Sequence, residues 1–328
     1  MKEKLVKKSK IKRVIFFTLL IFIIIYFVVG NYFYNYALAR SKKEFMENNP
    51  KLPNSQSEKQ EGSIAAVKTN DSNWMQETPQ TPEELTSFDG LRLSGASFVH
   101  EERNRKWVII VHGYASNRTR LQDRAKCFFE KGFNVLSVDC RGCGESEGDY
   151  MAMGWLDRLD VIAWSRKIAQ NYPGSEIVLY GTSMGGATVM MASGEVKSLP
   201  SNVKCIVEDC GYTSACDIFS FQLKDQFGLP SFPIMNSLAL VTKIRAKFDI
   251  YEASSVEQLK KNQLPIMFIH GTRDEFVPFE MLYTLFESTN AEKDIYTVQG
   301  AGHNCAFSKD PDEYMRRVLS FIDSHVSK

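Results

Sequence analysis

Gly181-Thr182-Ser183-Met184-Gly185 is the stretch of this chain best suited to covalent chemistry. An apolar run, Ile177-Val178-Leu179-Tyr180, leads into it, and a small-residue helical stretch from Gly186 to Ala192 follows. The pattern is strand, sharp turn and helix, with a serine at the apex. A serine in such a strained turn needs residues without side chains two positions away, or strand and helix collide. A helix starting at that serine directs its N-terminal N–H groups toward a developing oxyanion. A serine hydroxyl is a poor nucleophile until a base takes its proton. His303, in a loop after the last apolar run, is the candidate base, and Asp274 is the candidate to orient it. Taken singly, a loop histidine is a solvated or structural residue and an aspartate in Thr272-Arg273-Asp274 is a turn former. Glu275, next in sequence, and Asp209, at the end of the preceding apolar run, are rivals for the acid.

The elements around these residues give the pattern its weight. Trp107–Val111, Asn134–Val138, Ile177–Tyr180, Val203–Val207, Pro265–Ile269 and Asp294–Val298 read as buried strands, and two short strands are expected between Ser87 and Val99. Helical stretches run from Arg120 to Lys131, Trp155 to Gln170 and Pro311 to Val326. Strands alternating with helices imply a mostly parallel sheet with helices on both faces. Ligands in such sheets bind beyond the carboxyl ends of the strands. Ser183, Asp274 and His303 all fall just past such ends, so three residues distant in sequence should meet at one edge.

From about Leu85 onward the chain resembles the α/β-hydrolase superfamily, in the manner of bacterial serine hydrolases and ABHD-type esterases and lipases. The resemblance rests on His112-Gly113-Tyr114, on Asp139 to Ser146 as D-x-R-G-x-G-x-S, on Gly181 to Gly185, and on Gly271-Thr272-Arg273-Asp274 with Gly302-His303. It implies an α/β-hydrolase fold with a helical cap, and a triad in the order Ser183, Asp274, His303. It also implies an oxyanion hole from the backbone N–H groups of Tyr114 and Met184, with no cofactor and no metal. The implied activity is hydrolysis of carboxylic esters or thioesters through an acyl-enzyme. Acyl transfer or peptide hydrolysis would use the same machinery, and a non-catalytic binding module is the alternative of a different class. His112 is expected to support its loop, His270 to close a strand, and Asp139 and Arg141 to hold a turn near the site.

Outside this region the chain changes character. Lys2, Lys4, Lys7, Lys8, Lys10, Lys12 and Arg13 crowd residues 1–13, and an uncharged run follows from Val14 to Ala39. That arrangement predicts a transmembrane signal anchor over 14–39 with the basic end in the cytoplasm and the bulk of the chain outside. Ala37-Leu38-Ala39 leaves a cleaved signal peptide as an alternative; a buried core helix is the third. Residues 40–82, rich in Asn, Gln, Ser, Glu and Lys, read as a flexible linker, and 83–328 as the catalytic domain. Within it, residues 211–261 form an insertion rich in Phe, Leu and Met, read either as a cap lining an apolar acyl pocket or as helices covering the core.

The formal net charge of +1 gives no electrostatic case for a nucleic-acid partner; the expected partners are a membrane and a small or lipid-like ester. The seven cysteines read mainly as small buried hydrophobes, and so many thiols pull against an extracytoplasmic location unless disulfides form. Cys140-x-x-Cys143 has no second pair with which to complete a zinc site.

Overall fold

The computed structural model describes residues 2–47, 49, 51–52, 73–100 and 104–327. Helix α1 (Lys2–Ala37) is followed by the short α2 (Glu44–Glu47) and α3 (Trp74–Glu77). Then come β1 (Thr81–Thr86), β2 (Arg92–Phe98), β3 (Lys106–Val111), α4 (Gln122–Glu130), β4 (Asn134–Val138) and α5 (Asp157–Asn171). The second half contains β5 (Glu176–Thr182), α6 (Met184–Ser193), β6 (Val203–Asp209), α7 (Ala215–Phe227), α8 (Ser231–Arg245) and α9 (Ser255–Leu259). It closes with β7 (Ile266–Gly271), α10 (Glu280–Glu287), β8 (Lys293–Val298), α11 (Ala306–Lys309) and α12 (Pro311–Ile322).

The eight strands form one sheet in the order β1-β2-β4-β3-β5-β6-β7-β8. β2 runs antiparallel to both β1 and β4, and the remaining pairings are parallel. This is the mostly parallel α/β architecture expected from the alternation of apolar runs. The period of two along each strand divides the core into two layers. Trp107, Ile109 and Val111 of β3 face one layer, with Ile162 of α5 and Leu282 of α10; Val108 and Ile110 face the other, with Phe128 of α4 and Val318 of α12. Both faces are therefore covered, which explains why the central strands are continuous apolar runs.

The stretch expected to be a linker is docked at both ends. Arg40 donates to the carbonyls of Ser146 and Gly144, each at 2.7 Å. At the far end the Trp74 ring packs against Phe98, tilted by 32° with 4.6 Å between centroids, and β1 adds an edge strand that begins before residue 83. The Thr81–Thr86 strand is hidden by its polar composition: four of its six residues are Thr or Glu, and Pro82 and Leu85, three apart, give no period-two signal. Residues 53–72 lie outside the described residues.

Helix α1 is a single helix whose Lys10–Ala37 portion is long and apolar enough to cross a membrane. Its side chains from Val14 to Ile25 are exposed, whereas Phe33 and Tyr34 are buried. The buried end lies against α8, where Gly30 meets Ser237 so closely that a Cβ would sit 2.3 Å from Ser237 Oγ. The insertion at 211–261 carries α7, α8 and α9; α9 packs beneath α6 as part of the core layer, while α7 and α8 stand over the carboxyl edge beside α1.

Candidate active site

β5 ends at Thr182, and the chain turns at Ser183 with φ 55° and ψ −117° before α6 begins at Met184. A positive φ is costly for a residue with a Cβ and persists only where its surroundings impose it. Here two glycines make it possible. A Cβ at Gly181 would lie 2.1 Å from Gly185 O, and a Cβ at Gly185 would lie 2.1 Å from Val111 O. The Ser183 N–H is held by Asp209 O at 2.8 Å, which fastens the turn to β6.

Ser183 Oγ lies 2.9 Å from His303 Nε2, and His303 Nδ1 lies 2.7 Å from Asp274 Oδ2. All three residues are buried. The sheet accounts for their meeting: Ser183 follows β5, Asp274 follows β7 and His303 follows β8, so each stands at the same carboxyl edge. Asp274 Oδ1 accepts the N–H groups of Phe276 and Val277 at 3.0 and 2.8 Å. Burial alone would push this carboxyl up, but His303 and His270 outweigh it and hold Asp274 well below the usual carboxylate range.

His270 belongs to this cluster more closely than its position at a strand end suggested. Its Nε2 lies 3.2 Å from Asp274 Oδ2 and 3.0 Å from Val277 O, so one N–H faces both acceptors. Burial disfavours its charge, but Asp274 prevails and raises the pKa of His270. The four-residue spacing His270–Asp274 could have signalled the pairing only if the turn conformation were known.

The rival acids are engaged elsewhere or point away. Asp209 Oδ2 accepts Tyr314 Oη at 2.8 Å, and Glu275 is exposed. Cys210 Sγ lies within 4.8 Å of the Asp274 and His303 ligand atoms. Burial drives its thiol well above the ordinary value, so it stays protonated and is a weak metal ligand, while Asp274 and His303 are already bonded to each other.

Met184 opens α6 directly after Ser183, Tyr114 lines both cavities that Ser183 lines, and Gly113 is so close that a Cβ there would sit 3.3 Å from Ser183 Cβ. His112 holds this loop, with Nδ1 2.7 Å from Gly113 O and Nε2 accepting the Cys140 N–H at 3.0 Å. Asp139 accepts the N–H groups of Arg118 and Glu145 at 2.7 and 2.9 Å, and Arg141 is buried between Asp89 and Asp160. Both are turn-holding residues beside the site.

Two cavities meet at Ser183. One is apolar, walled by Phe227 of α7, Met235 and Leu238 of α8, Phe276, and Phe33 and Ala37 of α1. The other is wider and more polar, and its lining includes Arg40, Lys42, Lys43 and Arg120 as well as His303. None of the three sequence readings of that helix, as anchor, signal peptide or core helix, places it at the site.

Comparison with known proteins agrees with this architecture. Residues 102–207 match the family model described as serine aminopeptidase, S33. The chain is 26% identical over 219 residues to the uncharacterised protein YqkD of Bacillus subtilis, covering 66% of this chain and 71% of that one. It is 28% identical over 186 residues to human ABHD12B, covering 55% of this chain and 49% of the relative. Among solved structures, the Pyrococcus furiosus esterase Pf2001 superposes with a TM-score of 0.62 at 24% identity, over 76% of this chain and 92% of the esterase. A monoacylglycerol lipase from Paleococcus ferrophilus superposes with a TM-score of 0.54 at 20% identity, over 71% of this chain and 99% of the lipase. With its sheet order, its serine turn and these likenesses, the chain has the α/β-hydrolase fold, the architecture it shares with that esterase and that lipase.

Proposed function

We propose that this chain is a serine hydrolase that cleaves carboxylic esters or thioesters through an acyl-enzyme. The observation that carries the reading is the continuous relay from Ser183 Oγ to His303 Nε2 at 2.9 Å and from His303 Nδ1 to Asp274 Oδ2 at 2.7 Å. Ser183 Oγ attacks the acyl carbon while His303 Nε2 takes the hydroxyl proton. The charge that develops on the carbonyl oxygen is stabilised by the backbone N–H groups of Tyr114 and Met184. His303 returns the proton to the departing alcohol or thiol, leaving Ser183 acylated. Water, deprotonated by the same histidine, then releases the acid. An alcohol in place of water would give acyl transfer by the same steps.

An ester fits the cavities better than the N-terminus of a peptide. The substrate of an aminopeptidase carries an ammonium group that needs an anionic seat. The polar cavity instead gathers Arg40, Lys42, Lys43 and Arg120, and the other cavity is apolar. The insertion helices α7 and α8 act as the cap of this pocket. Among the non-enzymatic alternatives, a binding module has no need of a buried Ser-His-Asp relay held at hydrogen-bond distance.

Residues 14–39 serve in this reading as an uncleaved membrane anchor, with the catalytic domain outside the cytoplasm. Leu38 is fully buried and its carbonyl accepts the Met151 N–H at 2.8 Å, so cleavage after Ala39 would detach a segment that packs on the catalytic domain. Against the location stands the state of the cysteines: all seven are free thiols. The test of the catalytic reading is fluorophosphonate labelling of the full chain with p-nitrophenyl butyrate turnover. Ser183→Ala should abolish labelling and lower kcat on the order of 10⁴-fold or more. Undiminished turnover by the alanine variant would remove the proposal.

A further inference from the structure

The apolar cavity at Ser183 is shared between the cap and the N-terminal helix. Phe33, Tyr36 and Ala37 of α1 form one side of it, facing α7 and α8. Several bonds fix them there. Tyr36 Oη donates to Gln226 Oε1 at 2.6 Å, and Arg245 Nη1 donates to Asn31 Oδ1 and Asn35 Oδ1 at 2.6 and 2.8 Å. Ser237 Oγ donates to Tyr26 O, and the Phe33 and Phe227 rings meet edge to face at 5.4 Å. The last turn of α1 is also tied to the catalytic loop, because Tyr114 Oη donates to Ala37 O. Lys43 Nζ, nearly buried, donates to Tyr36 O at 2.7 Å and so closes the helix end.

A membrane tether needs none of this. A linker of a few flexible residues would hold the domain at the bilayer, and the helix could end where its exposed apolar run ends. Instead the helix continues from Gly30 to Ala37, about 12 Å at 1.5 Å per residue, and reaches the wall opposite the cap. We propose that these last two turns of α1 are the specificity-determining wall of the acyl pocket, so that the anchor helix is itself part of the substrate site and receives the apolar chain of a single-chain acyl ester. The inference rests on the serine-hydrolase reading above. Ala37 and Phe33 would then set the length of chain accepted: the first leaves room beside Tyr114, and the second fills space against Phe227.

The experiment uses the full chain in detergent micelles, with kcat/KM measured for p-nitrophenyl acetate, butyrate, octanoate and laurate. Ala37→Phe should lower the octanoate-to-acetate ratio at least tenfold by filling the pocket. Phe33→Ala should raise the laurate-to-octanoate ratio several-fold by lengthening it. Profiles within twofold of the wild type for both variants, with unchanged melting temperatures, overturn the proposal. A second measurement does not depend on how the variants fold. A fluorophosphonate bearing an octyl chain with a terminal diazirine is attached to the wild-type chain and irradiated. Cross-links on the peptide containing Phe33, Tyr36 and Ala37 support the α1 wall; cross-links confined to α7 and α8 overturn it. Failure of the wild type to label at Ser183 would instead bring down the hydrolase reading itself, a result distinct from either pattern.

Discussion

Replacing Asp274 with asparagine tests the proton relay without disturbing the turn that carries it. Asp274 divides its two oxygens between two tasks. Oδ1 accepts the Phe276 and Val277 N–H groups at 3.0 and 2.8 Å, while Oδ2 faces His303 Nδ1 at 2.7 Å and His270 Nε2 at 3.2 Å. An asparagine keeps the first task only by placing its carbonyl oxygen at Oδ1. Its NH₂ then faces His303, whose Nδ1 must become an acceptor. The ring proton moves to Nε2 and points at Ser183 Oγ, which a protonated nitrogen cannot deprotonate. Flipping the amide sets NH₂ against two backbone N–H donors, so neither orientation restores the base. The loss should be on the order of 10⁴-fold in kcat, about 5.4 kcal/mol at 1.36 kcal/mol per tenfold. The retained backbone bonds limit the loss of stability to about 1–2 kcal/mol, the cost of one misplaced buried hydrogen bond. The assay is kcat and kcat/KM on p-nitrophenyl butyrate together with the rate of fluorophosphonate labelling and a thermal melt. Activity within tenfold of the wild type in a folded Asp274→Asn variant would refute the reasoning and return the acid role to another carboxylate.

Two further outcomes are expected. Glu208 is fully buried, with one oxygen accepting the Gly211 N–H at 2.9 Å and the other unpartnered, and burial pushes its carboxyl up to about 8. A carboxyl whose folded pKa is raised contributes stability that is complete below its unfolded value, near pH 4.5, and is lost as pH rises to about 8. At about 1.4 kcal/mol per unit, this decline amounts to a few kcal/mol, and Glu208→Gln, which keeps the bond to Gly211, should flatten urea-unfolding stability between pH 5 and 8; an unchanged slope would exclude Glu208 as its source. External protease on intact cells should cut the chain between Lys51 and Asn73, read as two fragments on a denaturing gel; protection until the membrane is broken would reverse the proposed orientation and agree with the seven free thiols.

Much of the site was legible because its signals are local. Glycine is required at 181 and 185, two residues either side of Ser183, because a Cβ at either position would lie 2.1 Å from a backbone oxygen, and a constraint of that range leaves its mark in adjacent sequence. The buried strands were legible because a parallel sheet covered on both faces needs unbroken apolar runs. β1 was missed because an antiparallel edge strand half exposed to water carries no such run. From sequence His270 is no more than a strand end, because its contact with Asp274 depends on the turn between them, where Asp274 folds back to accept Phe276 and Val277.

The sequence alone thus determined the fold class, the serine turn and the set of residues past the strand ends, each through spacing along the chain. Which side chains touch was decided by the tertiary structure: the order of strands in the sheet places β5, β7 and β8 so that Ser183, Asp274 and His303 converge. The same holds for α1. Its apolar run carries the same pattern whether it faces lipid or protein, because both environments exclude water. Only the position of α8, with Ser237 against Gly30, and of Phe227 against Phe33 makes its last turns a wall of the cavity at Ser183.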